Sequence, residues 1–255
     1  MNRWAARDLL ARTGLASPLL ERLTPAASPA QWTTAELRSP SWLAERSRVA
    51  RRRWQVESDR TGARLWWYSA SYLLVGGPLL TSLLGRYAVV PALNDPLWLD
   101  DFGNLDRVAP QRVVPREDLA AALTDLLEPA VRALAGVAGS TPRSLWAVAG
   151  DAPTMAVREA LRAGLDPAVV WPQVVDFHRR WRQVAPLPGL RTVDVSPAGV
   201  RQVAEDAPLR PPARRSALRN SCCLLLQVPG IQCCTTCPRQ TPAERERRWI
   251  SSPEA

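Results

Sequence analysis

The five cysteines of the chain, Cys222, Cys223, Cys233, Cys234 and Cys237, all lie between residues 222 and 237, and none occurs earlier. Cysteine used as core filler is not crowded in this way, so this segment is where chemistry is to be sought. Four chemistries compete for it. Disulfides are disfavoured for the adjacent pair, because neighbouring Cα atoms lie about 3.8 Å apart and disulfides start near about 4.4 Å. A reducing cytoplasm disfavours them as well. Cys234-Thr235-Thr236-Cys237 is a Cys-x-x-Cys dithiol, yet the βαβ context of a thioredoxin-like site is missing around it. Structural zinc on four thiolates would stitch a small C-terminal module that has little core of its own. In that framework two separated Cys-x-x-Cys knuckles are usual, and here an adjacent pair replaces one of them. An iron–sulfur cluster is the fourth chemistry. Four thiolates suffice for a [2Fe–2S] centre, whereas the lone histidine, His178, excludes a Rieske centre, which needs two.

Geometry adds a requirement. Adjacent side chains on an extended strand point to opposite faces, so Cys222 and Cys223 must sit on a turn or a helix end to reach one centre. Pro229-Gly230 supplies the turn that brings the chain back to Cys234 and Cys237. Backbone N–H groups near Thr235 and Thr236 are then placed to donate to sulfur. Residue types and spacing leave zinc and iron–sulfur both open.

Arg219-Asn220-Ser221-Cys222-Cys223, an apolar stretch with Pro229-Gly230, and Cys234-Thr235-Thr236-Cys237-Pro238 together resemble a known C-terminal signature. It is that of the FhuF-like ferric-siderophore reductases: Cys-Cys, ten residues, Cys, two residues, Cys. The resemblance directly covers residues 219–238, and chain size and the C-terminal placement of the cysteines also look like that family. It implies that Cys222, Cys223, Cys234 and Cys237 bind a [2Fe–2S] cluster. Cys233 offers a nine-residue spacing and is a spare thiol or substitute ligand. Leu224-Leu225-Leu226 stands where related sequences often carry aromatic residues. The activity implied is that of an oxidoreductase, a ferric-chelate reductase. It would take one electron from a cellular donor and reduce siderophore-held Fe(III), for instance in a hydroxamate siderophore, to Fe(II). No catalytic residue beyond the cluster is implied. Two alternatives stand beside this: a siderophore-binding or siderophore-biosynthesis-related protein without electron transfer, and a zinc-stitched interaction protein.

The rest of the chain must position these thiols. Its 255 residues suffice for a substantial core, and 46% hydrophobic with 22% charged residues describe a folded protein. The formal charge is +9 and every basic residue is Arg. The arginines are dispersed and no nucleic-acid-binding motif accompanies them, so nucleic acid is not expected as a partner. Arg214, Arg215, Arg219 and Arg239 flank the cysteines and could guide an anionic partner. The N-terminal stretch lacks the apolar core and cleavage site of a secretory signal, so a cytoplasmic protein is expected.

Leu65 to Gly85 carries no charge over about a bilayer's length. Gly76-Gly77-Pro78 interrupts it, and it reads as two buried helices joined at that turn. Trp66, Trp67 and Tyr68 would also suit peripheral association with the inner face of the membrane.

Helical periodicity is read over 3–23, interrupted at Pro18, and over about 40–58. It recurs from 115 through Pro129 to Leu134, over 141–149, over 153–163 ended by Gly164, and over 167–184 capped by Asp166. Short β-prone runs at 87–90, 97–99 and 112–114 predict a small sheet, and Arg191 to Val195 predicts a last strand. A short helix is expected after Pro197, an extended linker over 207–212, and one or two helical turns over 244–249. The expected fold is α+β and predominantly helical. Its parts are a helical main domain over 1–206 containing a small sheet, and a C-terminal cysteine-ligated [2Fe–2S] module over 213–255.

Overall fold

The computed structural model describes residues 8, 10–11, 17–210, 214–234 and 236–251. Most of the part before Pro18 of the helical stretch expected over 3–23, part of the linker expected over 207–212, and Thr235 lie outside them.

The helices form because apolar residues recur at three- and four-residue intervals behind defined caps. After a single turn, α1 (Pro18–Glu21), come α2 (Pro40–Trp54) and α3 (Asp59–Ser71). Ser39 and Ser58 accept from the Trp42 and Thr61 amides at the starts of α2 and α3, satisfying first-turn donors. Gln55 at φ 51° ends α2 in the left-handed region. Gly62 lets the two helices cross closely. A Cβ there would stand 2.4 Å from the Ser47 carbonyl oxygen and 2.8 Å from the Arg51 nitrogen.

The uncharged stretch does not turn at Gly76-Gly77, contrary to expectation. Both glycines are right-handed helical, with φ −63° and −60°. A π-helical segment, Tyr72–Gly76, joins α3 to α4 (Gly77–Leu84) without leaving the helix. Proline lacks the amide that an α-helix uses, and a wider π turn accommodates Pro78 without breaking the chain's direction. Gly77 packs on Leu23, whose Cδ2 would lie 2.8 Å from an added Cβ. Trp66 and Trp67 are fully buried, and their Nε1 atoms donate to the Gly103 and Leu145 carbonyls. They are core residues rather than an interfacial belt. No described helix is long and apolar enough to cross a membrane.

The long α5 (Leu119–Ala138) continues through Pro129, and α6 (Pro142–Asp151), α7 (Pro153–Arg162) and α8 (Pro167–Val184) follow it. Asp166 caps α8 by accepting from the Ala168 amide, as its position predicts. One apolar core runs through all these helices, from Leu19 to Ala217.

Among the described residues three small antiparallel sheets complete the fold, so the predominantly helical α+β class is observed. In the first, β3 (Pro96–Leu99) lies between β1 (Trp32–Thr33) and β4 (Leu105–Val108). In the second, β2 (Tyr87–Val90) pairs with β5 (Arg112–Pro115). In the third, β6 (Arg191–Ser196) lies between β7 (Gly199–Val203) and β8 (Arg214–Leu218).

The expected helix after Pro197 is therefore strand β7. Pro197-Ala198 is the two-residue tip of a hairpin whose register pairs Ser196 with Gly199. Gly199 takes φ +128°, open to glycine and rarely adopted by other residues. One face of the third sheet presents Val193, Val195 and Leu218 to Trp249 of α9 (Pro242–Ser251). Thr241 and Glu244 exchange hydrogen bonds at the start of α9, Thr241 N donating to Glu244 at 2.9 Å and Glu244 N to the Thr241 hydroxyl at 3.2 Å. Strand β8 thus ties the chain just before the cysteines to a strand from before residue 206.

Candidate functional site

Strand β8 delivers its C-terminal end to Arg219-Asn220-Ser221, and these residues aim the first two cysteines. Asp151, the last residue of α6, receives them. Its carboxylate accepts from the Asn220 amide at 2.8 Å, the Ser221 amide at 2.9 Å and the Ser221 hydroxyl at 2.5 Å. Asn220 Nδ2 donates to the Gly189 carbonyl at 2.9 Å. The arrangement holds both ends of the turn before Cys222.

Cys222 and Cys223 then lie on irregular backbone between that bend and a 3-10 turn at Leu225–Gln227. Leu224 sits at φ +68°, in the left-handed region, which costs a non-glycine residue free energy and marks a fixed turn. The turn demanded by adjacent cysteines facing one centre is present. The Leu224 amide donates to Cys222 Sγ at 3.4 Å, and the Leu225 amide supports the Cys223 thiolate. A turn at Val228–Gly230, with Gly230 at φ +77°, reverses the chain. Cys237 N donates to the Cys234 carbonyl at 3.0 Å, closing the Cys-x-x-Cys turn.

All five cysteines carry free thiols. Their sulfurs act on one another: Cys234 hydrogen-bonds Cys223, Cys237 hydrogen-bonds both Cys222 and Cys233, and the charges of Cys223 and Cys237 bear also on Cys222 and Cys234 respectively. Among the described residues, no three His, Cys, Asp or Glu side chains form a group spaced to hold one metal ion. Cys223 and Cys237 are buried, and the other three are half-buried.

The charge around these sulfurs is set chiefly by Arg219. Its guanidinium is buried, lies 4.5 Å from the Tyr68 ring centroid, donates to Cys234 Sγ at 3.7 Å and approaches Asp151 at 3.6 Å. Burial opposes that charge, but Tyr68, Cys223 and Asp151 outweigh it and raise the Arg219 pKa. The hydrogen bond from Cys234, with Arg219 behind it, holds the Cys223 thiol down to about 5, and the same bond pushes Cys234 up. Burial raises Cys222. Burial also pushes the Asp151 carboxyl up, while its Ser221 hydrogen bond and Arg219 pull it back toward the ionised form.

Two further contacts fix the second half of the site. Gln240 Nε2 donates to the Cys234 carbonyl at 2.7 Å, and Arg248 of α9 donates to the Cys233 carbonyl. Of the flanking arginines singled out by sequence, Arg219 hydrogen-bonds a cysteine. Arg215 is buried against Asp194 at 2.9 Å, and Arg239 is exposed. Asp151, Tyr68 and Gln240 were not singled out as site residues.

A cavity of about 580 Å³ adjoins the cysteines, and Cys234 and Thr236 form part of its wall. The edge strand β8 contributes Arg214 to Ala217, the π segment contributes Tyr72, and α7 contributes Arg158 and Arg162. His178, by contrast, is fully buried in α8, and neither ring nitrogen has a hydrogen-bond partner among the described residues. Burial, with Arg182 adding to it, lowers its pKa to about 4. It stands apart from the cysteines and serves the core.

No protein-family model matches this chain, and no curated protein matches it.

Proposed function

We propose that the chain is a ferric-siderophore reductase of the FhuF-like kind, holding a [2Fe–2S] cluster on Cys222, Cys223, Cys234 and Cys237. The observation that supports this reading is the convergence of those four thiols, each linked electrostatically to others of the set, beside a cavity that Cys234 also lines. A [2Fe–2S] centre takes four protein thiolates, the number this set supplies. Cys234 fits the inner ligand set better than Cys233, because it pairs with Cys223 and accepts from Arg219.

When bound, such a cluster supplies one-electron transfer. The chain's own residues prepare for it. Asp151 fixes the turn carrying Cys222 and Cys223, and the Leu224 and Leu225 amides donate to their sulfurs. Arg219 offsets the negative charge of the thiolates in a buried setting. Gln240 and Arg248 hold the carbonyls of Cys234 and Cys233. The substrate is Fe(III) in a hard-oxygen chelate, accepting one electron to become Fe(II). A reduced one-electron carrier protein is oxidised by one electron in exchange. Fe(II) suits those oxygens less well, because the ion is larger and less charged, and it leaves.

The reaction is tested with a reduced carrier, a ferric siderophore and an Fe(II)-specific chromogenic chelator. Anaerobically prepared protein should accelerate Fe(II) capture. Cys234→Ser should abolish the effect and Cys233→Ser should retain most of it. Chelate binding without Fe(II) formation by the intact protein would instead favour a binding role.

A further inference from the structure

Resting on that reductase reading, we infer that Arg219 is the residue that sets the reduction potential of the cluster. Its fixed positive charge, applied through Cys234, favours the reduced form, and the charge of Asp151 counters it.

The first observation is contact. Hydrogen bonds to sulfur, net charge and solvent exposure set the potential of an iron–sulfur centre, and Arg219 brings all three to one place. Its Nη1 donates to Cys234 Sγ at 3.7 Å, it carries a full charge, and it is buried. The same charge bears on Cys223. A guanidinium keeps its proton at every working pH, so the effect is permanent.

The second observation is fixation. The guanidinium carbon lies 4.5 Å from the Tyr68 ring centroid, and Nε lies 3.6 Å from the Asp151 carboxylate. Asp151 is itself held by the Asn220 and Ser221 amides. The charge is therefore aimed before an electron arrives, and no rearrangement is needed to use it. Nη2 makes no hydrogen bond among the described residues, although Arg219 is buried. Buried donors are normally satisfied. An anionic, sulfur-rich group held on the cysteines supplies acceptors of the kind this donor lacks.

The third observation is the balance of charge. Four thiolates make the bound group negative, and reduction makes it more negative by one unit. The reduced carrier loses one electron, the cluster gains it, and no bond or proton changes hands. Other arginines stand nearby. Arg64 bears on Cys222 and reaches the Ser144 carbonyl at 3.5 Å, and Arg248 holds the Cys233 carbonyl. Arg215 is engaged by Asp194. Among the described residues, Arg219 differs from these in placing its own nitrogen on a ligand sulfur. Removing a charge so close, where little water screens it, changes the reduction equilibrium by roughly tenfold or more. Tenfold in a one-electron couple is about 59 mV.

Redox titration of the cluster-bearing protein, followed by its visible bands and by EPR of the reduced form, tests this. Arg219→Gln should lower the potential by about 59 mV or more. Arg219→Lys loses the fork to Asp151 and the flat face on Tyr68 but keeps the charge, and it should recover roughly half of that shift or more. Asp151→Asn should move the potential upward. A merely structural role would shift Arg219→Gln and Arg219→Lys alike. A second measurement needs no variant: wild-type protein labelled with nitrogen-15 arginine should show a guanidinium nitrogen coupled to the reduced cluster in pulsed EPR. Four results each overturn the inference: a change below roughly threefold in Arg219→Gln, equal shifts in the two Arg219 variants, a downward shift in Asp151→Asn, or no such coupling in the wild type. Failure of the reductase reading looks different: the potentials move as expected, yet no Fe(II) forms from any ferric chelate.

Discussion

Replacing Asp151 with Ala removes the one carboxylate that organises the approach to the cysteines. The side chains of Asp151 and Arg219 are 3% and 6% exposed, so the substitution strips a buried guanidinium of its carboxylate partner and leaves it only the cysteine sulfurs and the Tyr68 ring. Breaking such a pair from one side costs about 3–5 kcal/mol. The Asn220 and Ser221 amides lose their acceptor at the same time, which places the expected cost toward the upper part of that span. In urea unfolding, with a slope of about 3 kcal/mol per molar, the midpoint should fall by about 1 M or more. A double-mutant cycle separates the charge effect from the cavity. Adding Arg219→Met removes the stranded charge, and the pair should recover about 1–3 kcal/mol relative to additivity. The reasoning fails if Asp151→Ala costs less than about 1 kcal/mol, or if the two changes add within about 0.5 kcal/mol.

Two further outcomes probe the scaffold. Gly62→Ala should destabilise by at least about 1–3 kcal/mol in the same assay, because the new Cβ meets backbone atoms of α2 that cannot swing aside; a neutral result would contradict the close crossing. His178 sets a pH dependence with a definite sign. Its folded pKa of about 4 lies below the ordinary value of 6.5, so the folded chain refuses a proton that the unfolded chain accepts. The contribution is fully present above pH 6.5 and is lost as pH falls from there toward about 4. Between pH 7 and 5 the loss should be about 2 kcal/mol, and His178→Leu should remove that slope. A slope unchanged by His178→Leu would refute the assignment.

The sequence carried the local rules well and the long-range contacts poorly. Asp166 before an apolar-periodic run and Gly164 after the previous one marked helix ends, because caps act within one turn. The β-prone runs at 87–90 and 112–114 are strands paired with each other. Gly76-Gly77-Pro78 misled, because glycine permits a turn without requiring one, and packing against Leu23 keeps the helix going. Pro197 misled in another way: proline opens helices and also fits hairpin tips, and the choice fell to Gly199 and the pairing with β6.

At the site, the crowding of the five cysteines was legible from the sequence, and the resemblance to the FhuF-like signature singled out Cys222, Cys223, Cys234 and Cys237 among them. Asp151 was not, because it meets Ser221 across seventy positions and sits at the end of an ordinary amphipathic helix. Tyr68 read as core, and its burial is real, but one face of its ring is taken by Arg219. A buried acid on an otherwise apolar helix face was the available sign for Asp151. The sign for Tyr68 is visible only once β8 is placed.

The central claim is that these four thiols hold a two-iron cluster, and the absorption spectrum of anaerobically purified protein tests it most directly. The account predicts a red-brown protein with visible charge-transfer bands that bleach on reduction. It predicts iron and acid-labile sulfide near two of each per chain, with both lost in Cys234→Ser. A colourless protein carrying stoichiometric zinc would contradict it.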